Sequence, residues 1–108
     1  MITVIGVNVG EKPRIIEIDG SLNSLQEYVG GWIEAVYPFE DEVAIVCNEE
    51  GKIMGLEQNR FLMSDNEVVD VICGNFLIVG LGEEDFESLS DRLAAKYLEK
   101  AESKYIEI

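Results

Sequence analysis

The chain has 108 residues, with 22 acids against 8 bases, no histidine and a net charge of −14. That field repels nucleic acid and anionic membrane surfaces, so neither is an expected partner, and it attracts basic proteins and cations. The missing histidine excludes histidine-based triads, histidine metal sites and a histidine proton shuttle. The length and the 47% hydrophobic fraction imply one folded domain over residues 1–108, with a core that needs no metal or disulfide.

Ile2 to Val9 reads as a strand that is apolar on both faces, and therefore central. Gly10-Glu11-Lys12-Pro13 is a turn, and Arg14 to Ile18 is a second strand close enough to form a hairpin with the first. Gly6 to Lys12 faintly resembles a phosphate loop, but it lacks the Gly-Lys-Ser/Thr ending and no helix follows. Ser21 is an N-cap for a short helix with Leu22, Leu25 and Val29 at helical spacing. Gly30 stops it, taking the left-handed conformation at no Cβ cost.

Gly31 to Phe39 is expected as a third strand. Ile33, Ala35, Tyr37 and Phe39 form its core face, and Trp32, Glu34, Val36 and Pro38 a half-apolar second face. Val43 to Cys47 is a short buried strand. Asn48-Glu49-Glu50-Gly51 has hairpin-turn chemistry, with Gly51 able to take a positive φ and Lys52 to Met54 as the returning strand. Gly55 to Asn66 has no clear period, and Gln58, Asn59 and Arg60 are placed at its polar tip. Glu67 to Cys73 and Gly74 to Gly80 are strands, the latter central. Ser90 caps a last helix with Leu93, Ala94, Tyr97, Leu98 and Ala101 on its apolar face and Asp91 at its positive end. Its lysines are free to lie against the acidic body.

The order β-β-α-β-β, then further strands and a closing helix, predicts an α+β fold with a mixed or antiparallel sheet, β-grasp-like at its start. The N-terminus has no basic region ahead of its apolar run, and no apolar run reaches membrane-span length, so a cytoplasmic protein is expected. Cys47 and Cys73 end apolar runs, where free thiols pack as small hydrophobes and lose nucleophilicity. The acidic turns at Glu40-Asp41-Glu42, Glu49-Glu50 and Glu83-Glu84-Asp85 lack the oxygen spacing of a calcium loop. No catalytic residue, metal or cofactor is assigned, and no enzymatic activity is expected.

Two cations draw attention. Lys52 and Arg60 are the only bases between Ile15 and Asp91, among 18 acids. Either they pair with local carboxylates or they hold a small anionic ligand, with Arg60 presenting its fork and Asn59 orienting it. Trp32 either fills the core or, with Tyr28, supplies a packing surface beside the ligand, and Glu34 shares its face. Trp32, Glu34, Lys52, Asn59 and Arg60 are therefore the candidate binding residues. An uncovered Trp32/Val36 face would also allow a homo-oligomer.

Asp19-Gly20-Ser21-Leu22, Leu25-Gln26, Val29-Gly30-Gly31-x-Ile33-Glu34, Asn48-Glu49-Glu50-Gly51-Lys52, Gly55-Leu56-x-x-Asn59-Arg60 and Ile72-x-Gly74-x-Phe76-x-Ile78-Val79-Gly80 occur in this order. Together they resemble a family of small uncharacterised domains, about residues 2 to 98. Its members occur in phages, plasmids and integrative elements, largely of Gram-positive bacteria, sometimes beside antirestriction proteins. The resemblance implies a cytoplasmic accessory protein of a phage or mobile element and no established activity. The resulting expectation is a non-enzymatic module that binds a host protein or a small anionic ligand. The alternative is an acidic DNA mimic that inhibits a host DNA-binding enzyme, which needs carboxylates in rows on one face.

Overall fold

A computed structural model describes all residues from Met1 to Ile108. Its elements in chain order are strand β1 (Ile2–Val7), strand β2 (Arg14–Ile18), helix α1 (Leu22–Val29), strand β3 (Ile33–Val36) and strand β4 (Val43–Asn48). Strands β5 (Gln58–Ser64), β6 (Glu67–Cys73), β7 (Phe76–Leu81) and β8 (Phe86–Glu87) follow, then helix α2 (Asp91–Glu102) and strand β9 (Tyr105–Glu107).

The strands form two sheets. The larger has the order β2-β1-β7-β4-β3 with β8 paired to β7, and every pairing in it is antiparallel. The smaller has the order β6-β5-β9, antiparallel between β5 and β6 and parallel between β5 and β9. This corrects the expected fold class. Strand accounts for 43% of the chain and helix for 19%, so the fold is mostly β, with two helices against two sheets rather than an α+β layer on one sheet. The β-grasp-like unit expected of the opening elements does not close. β7, from much later in the chain, lies between β1 and β4 and holds the two hairpins apart.

The apolar pattern explains that placement. β4 and β7 are buried almost throughout, so both need neighbours on each side and cover on each face. On one face of the larger sheet, Val4, Ala44, Val46, Leu77 and Val79 pack against Leu25 of α1, with Ile33 beside them. On the other, Ile5, Val7, Val43, Ile45, Phe76 and Ile78 meet Ala94, Tyr97 and Ala101 of α2 and Leu62, Ile72 and Ile106 of the smaller sheet. The molecule is thus layered: α1, the larger sheet, then α2 and the smaller sheet side by side.

Local signals set the ends of α1. The Ser21 hydroxyl accepts the backbone N–H of Ser24, and Gly30 sits at φ +80° with its N–H on the carbonyl of Gln26. Asn48 then donates from Nδ2 to the carbonyl of Val29 at 3.1 Å. It approaches so closely that a Cβ on Gly31 would lie 3.0 Å from its amide nitrogen.

Four expectations over residues 31–66 are corrected. β3 is only four residues long, and Tyr37, assigned to its core face, is 61% exposed. Lys52 to Met54 is not a strand but part of a run of turns after β4. Gly51 has no positive φ; it is glycine because a Cβ would lie 3.0 Å from the carbonyl oxygen of Cys73. Residues 58–64, expected as an irregular tip, form β5 and make a hairpin with β6 through Asp65 (φ 50°) and Asn66 (φ 65°). Two residues at positive φ joining paired strands is the turn that Asn and Asp tolerate best. β9 is an additional strand of three residues, anchored in the core by Ile106.

Candidate functional site

The turns after β4 fold back over the end of β6, because Gly51 allows backbone to lie on backbone there. Between them and β3 lies a cleft of about 240 Å³, lined by Glu34, Cys47, Asn48, Glu49, Gly51, Lys52, Ile53 and the β6 residues Asp70 to Cys73. β3 and β4 pair so that Glu34 lies opposite Cys47, which puts the Glu34 side chain on the face turned toward the smaller sheet. The buried residues Cys47, Ile72 and Cys73 contribute its lining, with Ile53 exposed at the opening.

Lys52 crosses this opening. Its Nζ lies 2.6 Å from Asp70 Oδ1, an oxygen that also accepts the backbone N–H of Val71 at 2.8 Å. The hydrogen bond to Asp70 raises the Lys52 pKa. The pair stays wet, with side chains 61% and 39% exposed. Deeper in, burial first and the Glu34 carboxylate next push the Cys47 thiol up to about 11. Its Sγ lies 3.7 Å from the carbonyl of Glu34, which it faces as a donor. A thiol held protonated in this way is a poor nucleophile at neutral pH.

Trp32 precedes β3, two residues from Glu34, and its carbonyl accepts the N–H of Glu49 at 2.8 Å. That bond fixes it beside the cleft. Its side chain is 66% exposed, so it is not core filling. Ile53, 86% exposed, and Met54 stand on the neighbouring turn. Ile53 thus stands in water at a cleft lined by three carboxylates, and Trp32 and Met54 are exposed on the chain close to its lining residues Glu34 and Ile53.

Asn59 and Arg60 do not join this cleft. They are buried at 2% and 8% exposure. Asn59 Nδ2 donates to the carbonyls of Val7 (3.0 Å) and Gly74 (2.8 Å), tying β5 to the end of β1 and to the β6–β7 turn. Its Oδ1 accepts from Arg60 Nη1 at 2.9 Å. Arg60 Nε donates to the carbonyl of Ala101 at 2.8 Å, Nη1 also to the carbonyl of Asn59, and Nη2 to that of Glu11 at 3.4 Å. Ala101 lies in the last turn of α2, so the guanidinium meets the negative end of that helix. No carboxylate pairs with it, and burial lowers its pKa. Of the five candidate residues, the structure brings Glu34 and Lys52 together, sets Trp32 beside them, and places Asn59 and Arg60 in a structural joint elsewhere.

Ile53, Met54 and Asp70 went unmarked in the sequence. Asp70 had a signal: it is the lone acid inside the apolar run Val68-Val69-Asp70-Val71-Ile72. A second acidic feature also takes shape only in three dimensions. The turn after β3 and the turn after β7 meet at one end of the larger sheet, where Leu81 donates its N–H to the carbonyl of Glu42. Glu42, Glu83 and Glu87 border one depression there, and Glu84 and Asp85 lie in the next with Tyr37. One lysine of α2 meets the acidic body: Lys96 Nζ lies 2.6 Å from Asp41 Oδ2.

No cluster of three or more cysteines and acids is arranged to hold a metal ion, and no helix is long and apolar enough to cross a membrane. No curated protein and no solved structure matches the chain. Residues 2–102 match the domain of unknown function DUF3846, and the chain belongs to that family.

Proposed function

We propose that this member of the DUF3846 family is a non-enzymatic binding module that takes a protein partner on the rim of the cleft. With it goes the setting the sequence resemblance implies: a cytoplasmic accessory protein of a phage or mobile element, with a host protein as partner. The observation that carries the reading is the exposure of Ile53 at the cleft and of Trp32 and Met54 on the chain adjoining its lining. Tryptophan and methionine are enriched at the centres of protein interfaces, and large apolar side chains grouped in water mark such sites. A small anionic ligand has less support, because Lys52 already has a carboxylate and Arg60 is closed off. Catalysis has less still, since the Cys47 thiol in the cleft is held protonated.

Replacing Met54 with a photo-crosslinking phenylalanine analogue and irradiating the whole protein in host lysate tests this reading. Trp32→Ala and Ile53→Asp, each in that background, are expected to reduce capture of the partner about tenfold or more. Undiminished capture in both variants removes the rim from consideration.

DNA mimicry is supported by the meeting of the two acidic turns around Glu42, Glu83 and Glu87. It requires that duplex DNA displace the captured partner and that the triple variant Glu42→Gln, Glu83→Gln, Glu87→Gln lose it. Capture unaffected by both removes mimicry.

A further inference from the structure

Resting on the binding reading above, we propose that the cleft receives a cationic side chain from an extended basic segment of another protein, and that Lys52 is a built-in stand-in for that cation. The cleft is about 240 Å³, room for one long side chain, and Glu34, Glu49 and Asp70 are among its lining residues. Ile53 and Val71 give it apolar wall, along which the stem of a lysine or arginine packs while its head stays polar. Asp70 is held in place, since its Oδ1 accepts the N–H of Val71 as well as Lys52.

Lys52 makes this bond as one of the residues lining the cleft. Its side chain is 61% exposed, and about 240 Å³ of the cleft stays free with Lys52 in this position. An exposed ion pair of this kind is worth little and exchanges readily. An arriving guanidinium, with a fork that fits carboxylates, takes the same oxygen and adds Glu34. The lysine then swings into water.

Charge complementarity selects the occupant. A second copy brings another −14 to a body of −14, and an acidic or phosphorylated segment meets the same repulsion. A small polyamine satisfies the carboxylates but has nothing to cover Trp32, Ile53 and Met54. A protein segment that interleaves basic and β-branched residues satisfies both.

The test uses the full-length chain and peptides of about twelve residues, long enough to span a strand and its flanks. One alternates arginine with valine. A second carries glutamate for arginine, a third serine for valine, and spermidine serves as the bare cation. Binding is read by calorimetry and by Trp32 fluorescence. The arginine–valine peptide is expected to bind, and the other three to bind at least tenfold more weakly. Lys52→Ala is expected to tighten the arginine–valine peptide by roughly two- to fivefold, since it frees Asp70 from an exposed pair. Asp70→Asn and Glu34→Gln are each expected to weaken it about threefold or more.

A Lys52→Ala variant that binds no better, or worse, overturns the stand-in role. Preference for the glutamate peptide overturns the cation site, equal binding of spermidine overturns the segment, and self-association that quenches Trp32 gives the surface to a second copy. The two levels fail differently. If the rim itself is wrong, no peptide perturbs Trp32 and crosslinked capture ignores Ile53→Asp. If only the cation is wrong, capture remains sensitive to Ile53→Asp while Lys52→Ala leaves it unchanged.

Discussion

Arg60 and Lys52 look alike in the sequence, as the two cations of an acidic stretch, and the fold treats them in opposite ways. Arg60 is buried and has no carboxylate; Lys52 is in water and has one. Desolvation decides between them. A guanidinium spreads its charge over five N–H groups and is weakly hydrated, so it enters the interior where carbonyls and a helix C-terminus wait for it. An ammonium is a compact, strongly hydrated point charge, so it stays at the surface and takes the nearest acid. A lone cation among acids therefore says little about ligands until its burial is known. The buried cation is architecture and the exposed one is exchangeable.

The sharpest way to break that contrast is at the joint. Arg60→Met keeps most of the volume but removes every donor, leaving the carbonyl of Ala101 and Oδ1 of Asn59 buried without partners. The expected loss is about 3 kcal/mol of stability, measured by urea unfolding. Asn59→Ala removes the donors to Val7 and Gly74 and the acceptor for Arg60, and should cost about 2 kcal/mol. The double variant should lose clearly less than the sum, because the two residues act as one network. Additive losses would mean that the joint is two unrelated bonds.

That joint is also where the sequence was least legible. Asn59 and Arg60 are polar and follow Gln58 in a stretch that opens on Gly55, the pattern of a loop tip, and only tertiary contacts put them inside a strand. The signals needed were non-local: the ends of β1, the β6–β7 turn and α2 must converge before a buried arginine makes sense. β2, α1, β6 and α2 were legible because each carries its own caps or alternation, as with Ser21, Gly30 and Ser90. β5 and β9 were hidden, the first by its polar start and the second by a length of three residues around a single core anchor, Ile106. Of the cleft, Glu34 and Lys52 were visible as charges, but their meeting depends on Gly51 folding a turn onto β6. The sequence suggested a hairpin there instead.

Lys52 sits at the other end of the contrast. Lys52→Ala is expected to change stability by less than about 0.5 kcal/mol, because its ion pair with Asp70 is exposed and screened. A loss approaching that of Arg60→Met would show that the turns over β6 hang on this bond, and the rim would then be part of the scaffold.

The second surface ion pair separates charge from position by pH. The Asp41 carboxyl is held below its usual value by the hydrogen bond from Lys96 first and that from Tyr97 next. A carboxyl with a depressed folded pKa adds stability above its unfolded pKa, and that stability is lost as pH falls through the folded value. The advantage of the native chain over Asp41→Asn should therefore be complete near neutrality and begin to shrink only below the ordinary aspartate value of 3.8. Arg60 offers no such handle, since it stays protonated over any pH at which the fold survives. Thermal unfolding of Asp41→Asn and Arg60→Met at pH 7 and pH 3 reads both at once. The Asp41 difference should narrow with acid while the Arg60 difference holds. Joint narrowing would mean that the guanidinium depends on carboxylates after all, and the division between a buried cation held by carbonyls and exposed cations held by acids would fall.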